Sequence, residues 1–306
     1  MKHAVFLGLL TLTACGGAAS ESATPFDEFQ GASCTDSSGP EVVTQRLASI
    51  TVNGVTREFR VSIPAVEAGT AMPIVMAFHG GGGRDYPFEQ NEEIDALGDQ
   101  EDFITVYPLA ELISGNEGEW QLNTASDSRQ DIEFVEAIID GFNNRYCVDT
   151  SRVYAVGYSL GGMFVYDLAC QLNMRFSAIA SFAGTMPVET NSCVMEDTVG
   201  ILHVHGQRDS IIPYSSQWDW KAWDEVGTMM DIPSLVDFWG EKYNCASSHE
   251  DVLSDGLYRS GYSSCDGGAL VEHFRRDNGD HEWPWNIGGV STPEVIWQFF
   301  SQFSKP

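Results

Sequence analysis

Positive charge is scarce in this chain of 306 residues: 16 Lys and Arg stand against 44 Asp and Glu, a formal net charge of −28. Such a field repels polyanions, which argues against nucleic acid as a partner and against polyanionic substrates such as pectate. No C-x-x-C pair and no compact His/Cys cluster occurs, so neither a structural zinc nor another metal is expected. No internal repeat is present, and no linker beyond residue 35 marks a second domain. The run of apolar residues at the start is too short to span a bilayer.

That opening stretch, MKHAVFLGLLTLTA, has Lys2 in a short charged head and then an apolar segment. It reads as a signal for export over residues 1–14. It ends in LTAC, which resembles a bacterial lipobox with Cys15 as the lipidated residue; an ordinary signal peptide cut a few residues later is the alternative. Residues 15–33, beginning GGAASESATP past Cys15, read as a flexible tether, and residues 34–306 as a single catalytic domain. The expected location is extracellular or anchored at the cell surface or outer membrane through Cys15, with the domain a monomer.

Setting Cys15 aside leaves Cys34, Cys147, Cys170, Cys193, Cys245 and Cys265. An even number in an exported chain reads as disulfides. Cys245–Cys265 flank one local segment, and closing that loop would contribute roughly 3 kcal/mol. Cys170–Cys193 and Cys34–Cys147 are then the expected remaining pairs, with the other connectivities open.

Elements alternate along the rest of the chain. LASITVNGVTREFRVSIP is two β-runs around an Asn-Gly turn, a strong hairpin signal. PIVMAFHG, FITVYP, RVYAVGYS, AIASFAG, GILHVHG and VEHFRRD read as strands. NEEIDALGDQ, RQDIEFVEAIIDGFNNRY, GGMFVYDLACQL and PEVIWQFFSQF read as helices, the second with Ile132, Phe134, Val135, Ile138, Ile139 and Phe142 at helical spacing. Continuous apolar strands separated by helices imply a mostly parallel sheet covered on both faces, with the hairpin as an antiparallel edge. That is the outline of an α/β-hydrolase.

Four motifs carry chemistry. AVGYSLGGMF places Ser159 in G-x-S-x-G between a buried strand and a helix, the spacing of a strained nucleophile turn whose next residue, Leu160, can aim its N–H at an oxyanion. FHGGGG, ending at Gly83, lets backbone approach a ligand; Gly81 or Gly82 is the expected second oxyanion donor, and the loop lacks the lysine of a phosphate-binding G-x-x-x-x-G-K-[ST]. HVHGQRDSIIPY sets Asp209 just past a strand, as the acid orienting a base; Asp219 and Asp231 read as solvated and His203 and His205 as structural. DNGDHEWPW places His281 as the base, whereas His249 falls in a polar loop and His273 within a strand. The order Ser159, Asp209, His281 is that of α/β-hydrolases.

These residues resemble carbohydrate esterase family 1, most closely its bacterial feruloyl esterases and extracellular polyhydroxybutyrate depolymerases. The resemblance covers about residues 34–303 and rests on HGGGG, DIEFVEAIID, RVYAVGYSLGGM, HGQRDSIIPY and GDHEWPW. It implies a cofactor-free extracellular serine esterase with the triad Ser159, Asp209 and His281. Two departures stand out: Glu282 follows the base where the family has a small or hydroxyl residue, and Leu160 follows the serine where Asn is common. Glu282 is expected to alter charge at the mouth of the site.

Trp283, Trp285, Trp120 and Tyr158 are the expected substrate contacts, because aromatic planes suit a feruloyl ring or a sugar face. Trp218, Trp220, Trp223 and Trp239 read as packed residues of a helix. With no separate adsorption domain visible, the expected substrates are feruloyl or acetyl esters of xylan. A polyhydroxyalkanoate depolymerase is the alternative enzyme. A catalytically silent surface-binding protein on the same fold is the alternative of another class.

Overall fold

A computed structural model describes residues 21–84, 86–113, 117–124, 129–190, 193–220 and 226–306. The export segment at residues 1–14, Cys15 and Trp223 lie outside the described residues. Among the described residues eleven strands form one sheet. In chain order they are β1 (Thr24–Pro25), β2 (Val43–Val52), β3 (Val55–Ile63), β4 (Met72–Phe78), β5 (Ile104–Pro108) and β6 (Val148–Tyr158). There follow β7 (Ala178–Phe182), β8 (Gly200–Gly206), β9 (Ser247–Ser254), β10 (Leu257–Ser263) and β11 (Val271–Arg276). The spatial order is β1-β2-β3-β5-β4-β6-β7-β8-β11-β10-β9.

From β5 to β11 neighbouring strands are parallel, and antiparallel pairs flank them on both sides. At the centre of the sheet β4, β7 and β8 are buried on both faces. Helices α1 (Asn91–Glu101), α2 (Gln130–Arg145), α3 (Leu160–Gln171), α4 (Ile232–Lys242) and α5 (Thr292–Phe300) cover the sheet. All six apolar positions read as the inner face of α2 are buried.

Three segments depart from the sequence reading. The stretch around His249, expected as a polar loop, is the hairpin β9–β10, closed at its base by Cys245–Cys265. Its turn is Asp255-Gly256, a hairpin signal within a run too polar to read as strand. The expected tether is shorter: Thr24–Pro25 pair with β2, Phe26 and Phe29 are buried, and Ala32 bridges to Tyr146. Two phenylalanines remove enough apolar surface from water to hold this segment down, so the packed body reaches back to Thr24 instead of starting at Cys34. Trp218 lies in a short ribbon with Thr228–Met229 and not in a helix, while Trp239 is buried in α4. Asp231, read as solvated, caps α4 by accepting from the Ser234 N–H at 3.0 Å.

Disulfides join Cys34–Cys147, Cys170–Cys193 and Cys245–Cys265. Bonds of this kind persist in oxidising compartments, in keeping with an extracellular protein.

Candidate active site

Ser159 stands at the turn from β6 into α3, with φ 54° and ψ −117°. A residue bearing Cβ is strained there by about 1–3 kcal/mol, and the surroundings have to enforce the conformation. They do so at short range. The Ser159 N–H donates to the Phe182 carbonyl of β7 at 2.8 Å, and its carbonyl accepts the Met163 N–H of α3 at 2.9 Å. A methyl on Gly157 would collide with the Gly161 carbonyl, and one on Gly161 with the Phe78 carbonyl. The two glycines are therefore spaced by a turn in which strand, helix and neighbouring loop touch backbone to backbone.

Because β8 and β11 are adjacent parallel strands, the loops leaving their C-terminal ends emerge side by side. Backbone hydrogen bonds stitch them together: Gln207 N–H to the Arg276 carbonyl and Arg208 N–H to the Gly279 carbonyl, both 2.9 Å. Asp280, unremarked in the sequence, completes the seam. Its Oδ1 accepts from Ser210 N–H and Oγ–H at 2.9 Å and from His281 N–H at 2.8 Å.

In that setting Asp209 and His281 meet. His281 Nδ1 lies 2.9 Å from Asp209 Oδ2, and His281 Nε2 lies 2.8 Å from Ser159 Oγ. A carboxylate only accepts, so Nδ1 carries the proton and Nε2 is left to accept the serine hydroxyl. The other oxygen of Asp209 accepts the N–H groups of Ile211 and Ile212 at 2.9 and 2.7 Å. Burial alone would raise the Asp209 pKa, but the contacts with His205 and His281 and the Ile212 N–H overcome it and hold the carboxyl well below the usual range. The acid therefore stays ionised wherever the protein is folded at moderate pH.

The glycine loop lies on the opposite side of the serine. His79 Nε2 accepts the Ala110 N–H at 3.1 Å, which leaves Nδ1 to donate to the Gly80 carbonyl at 2.7 Å. A turn closes with Gly83 N–H on the Gly80 carbonyl at 3.0 Å. Gly80 is the glycine of this loop nearest Ser159: a Cβ on it would sit 3.2 Å from Ser159 Cβ. Gly81 borders the Leu160 side chain, and Gly82 has φ +70° with open space beyond it.

The aromatic residues divide sharply. Trp120, expected to touch substrate, is 0% exposed. Its Nε1–H donates to the His79 carbonyl at 2.9 Å and its ring stacks on Phe164 at 5.0 Å, so it supports the glycine loop from beneath. Trp283 is also buried, packed 4.2 Å from Phe182 with Nε1–H donating to Gln90 Oε1 at 2.9 Å. Tyr158 is half-buried and donates its hydroxyl to the His281 carbonyl at 3.2 Å. Burial, with Glu89 and Asp209 nearby, pushes that phenol up to about 12, so it remains a neutral donor. Trp285 alone of the four presents an open indole, 67% exposed. Glu282 does not add free charge at the site mouth, because Arg276 Nη1 pairs with it at 2.6 Å.

Sequence reasoning missed Gly80, Asp280 and Gln90, and it read as structural His205, which lies 3.2 Å from the carboxylate of Asp209. For His205 a signal existed, since His and Asp four apart across a strand-end turn can meet; for Asp280 and Gln90 none did. Among the described residues no group of three or more His, Cys, Asp or Glu side chains is disposed to hold a metal ion.

Fold and site geometry together define an α/β-hydrolase, and comparison with known proteins gives the same class. The Phospholipase/Carboxylesterase family matches residues 118–222, a span holding Ser159 and Asp209. The acetyl xylan esterase from Aspergillus awamori superposes with a TM-score of 0.60 at 14% identity, covering 83% of this chain and 98% of that one. Among curated proteins, the bifunctional acetylxylan esterase/xylanase of Neocallimastix patriciarum is 26% identical over 82% of this chain. Feruloyl esterase B of Piromyces equi is 24% identical over 61%. The chain spans 34% of the length of each of these two relatives. The similarities thus gather where the motif resemblance to carbohydrate esterase family 1 pointed.

Proposed function

We propose that this protein is an exported serine esterase that cleaves carboxylic esters through an acyl-serine intermediate. The observation that carries the reading is the unbroken hydrogen-bonded series Ser159–His281–Asp209 on a strained strand-to-helix turn. Ser159 Oγ attacks the ester carbonyl while His281 Nε2 takes its proton and then delivers it to the departing alcohol. Asp209 holds the imidazole in the required tautomer and stabilises the imidazolium. The Leu160 N–H, at the start of α3, and an N–H of Gly81 or Gly82 receive the developing oxyanion, each stabilising it by about 3 kcal/mol. Water then repeats the sequence on the acyl-serine.

The substrates we assign are feruloyl or acetyl esters on xylan, cleaved by a monomer that Cys15 would tether by lipid to the cell surface. The curated relatives named for acetylxylan and feruloyl esters support the choice of substrate, as does the open indole of Trp285 four residues beyond the base. The test is a panel of methyl ferulate, acetylated xylan and hydroxybutyrate oligomers, with a serine-directed phosphonate to label the nucleophile. Turnover of the first two with labelling at Ser159 is expected. Turnover of hydroxybutyrate oligomers alone would make it a polyester depolymerase, and no labelling at Ser159 would make it a binding protein.

A further inference from the structure

Behind the acid lies a second buried series of polar groups that the esterase reading leaves unused. His205 is 1% exposed, and its Nε2 sits 3.0 Å from the Ile212 carbonyl and 3.2 Å from Asp209 Oδ2. Both neighbours are acceptors, so Nε2 carries a proton. With neutral rings, Nδ1 of His205 then accepts from His203 Nε2–H at 3.1 Å, and His203 Nδ1 accepts the Tyr166 hydroxyl at 2.7 Å. His273 donates Nδ1–H to the His203 carbonyl at 3.2 Å and receives the Tyr214 hydroxyl at 3.0 Å. Every ring in the set has one tautomer that satisfies its contacts. The groups facing His205 are His203, Asp209 and Tyr214, with His273 behind His203.

The Ile212 carbonyl that His205 holds belongs to the residue whose N–H binds Asp209 Oδ1. His205 therefore grips the acid turn at two points, its carbonyl and its carboxylate. We propose that His205 is a positioning residue: its Nε2–H sets where Asp209 Oδ2 meets His281, and Tyr166 through His203 fixes which way His205 donates. Burial keeps His203 and His273 well below the usual histidine range, as neutral rings in this pattern require.

The inference rests on the serine-esterase reading, so its experiment carries a control for that reading. Asn at 205 reproduces the imidazole only as far as Nδ1, keeping an acceptor for His203 but losing the reach to Asp209. Gln at 205 reaches the Nε2 position and restores a donor to the acid turn. With p-nitrophenyl acetate, His205→Asn is expected to lower kcat by about 10- to 100-fold with KM within about two-fold, and His205→Gln to stay within about five-fold of the parent. Tyr166→Phe, which removes one hydroxyl without changing packing, is expected to lower kcat by about two- to five-fold at unchanged KM. Equal losses in the two His205 variants, parental kcat in His205→Asn, or parental kcat in Tyr166→Phe would each overturn the proposal. Turnover surviving in Ser159→Ala would instead remove the esterase reading beneath it.

Discussion

On one side of Ser159 the acid and base loops are laced together by backbone hydrogen bonds, by Asp280 and by the histidines of β8 and β11. On the other, the glycine loop is held from below by the His79 imidazole and the Trp120 indole and at its end by Arg84, which donates to the Ala110 carbonyl. The difference follows from the chemistry that the proposed mechanism assigns to each side. In the proposed mechanism, proton transfer between Ser159 and His281 needs side chains fixed to within a hydrogen bond, and many contacts fix them. An oxyanion site made of backbone N–H groups needs the main chain bare, so support can come only from beneath. One side is held at many points, His205 among them, and the other rests on His79 and Trp120.

The largest effect should come from the serine on which both sides converge. Ser159→Ala is expected to lower kcat by roughly 10⁴-fold or more while leaving the thermal midpoint unchanged, because Ala keeps the Cβ and the backbone hydrogen bonds. Enzyme assay and calorimetry on the same sample check this; substantial residual turnover would place the nucleophile elsewhere.

His79→Leu tests the thin support of the glycine loop. It strands the buried Ala110 N–H and removes one of the two donors to the Gly80 carbonyl. Stability should fall by about 1–3 kcal/mol and kcat by about 10- to 100-fold, so that activity and stability change together, unlike in Ser159→Ala. Denaturant unfolding with kinetics reads both, and parental kcat in a folded variant would break the contrast between the two sides.

The acid–base side has its own weakness, which is pH. Burial lowers His273 to about 3, so the folded protein leaves it neutral while the unfolded chain protonates it near 6.5. The unfolded state binds the extra proton between those values, so this contribution to stability is lost as pH falls through that window. Asp167 acts in the opposite sense, since burial raises it to about 7. The measurement is therefore a difference in which Asp167 cancels. From pH 7 to pH 5, His273→Gln should lose about 2 kcal/mol less stability than the parent. Equal losses would mean that His273 is not what acid attacks.

The smallest effect is expected at the rim. Trp285→Ala removes an exposed indole that touches neither triad nor glycine loop in any contact described above, so KM for methyl ferulate should rise by a few-fold at constant stability. An unchanged KM would take substrate recognition away from the base loop.

Much of this was legible in the residues. The elbow around Ser159, the glycine run after a strand, and the acid and base past later strands are local patterns whose spacing reflects short-range sterics. The helical face of α2 was legible because periodicity of 3.6 has one way to bury six apolar residues. The role of Trp120 was not, because an indole in a loop reads the same whether it faces a ligand or, as here, the underside of His79. Polar β9–β10 hid as a loop because an edge hairpin exposed to water carries no apolar run.

Order along the chain determined the class of chemistry proposed, since nucleophile, acid and base would have to follow the strands that carry them. Only the tertiary structure decided which groups stand behind the acid and which aromatic faces are open. Those depend on contacts between residues such as Tyr166 and His203, or Ser210 and Asp280, whose sequence separation leaves no local mark. Strand adjacency, not spacing, brings them together.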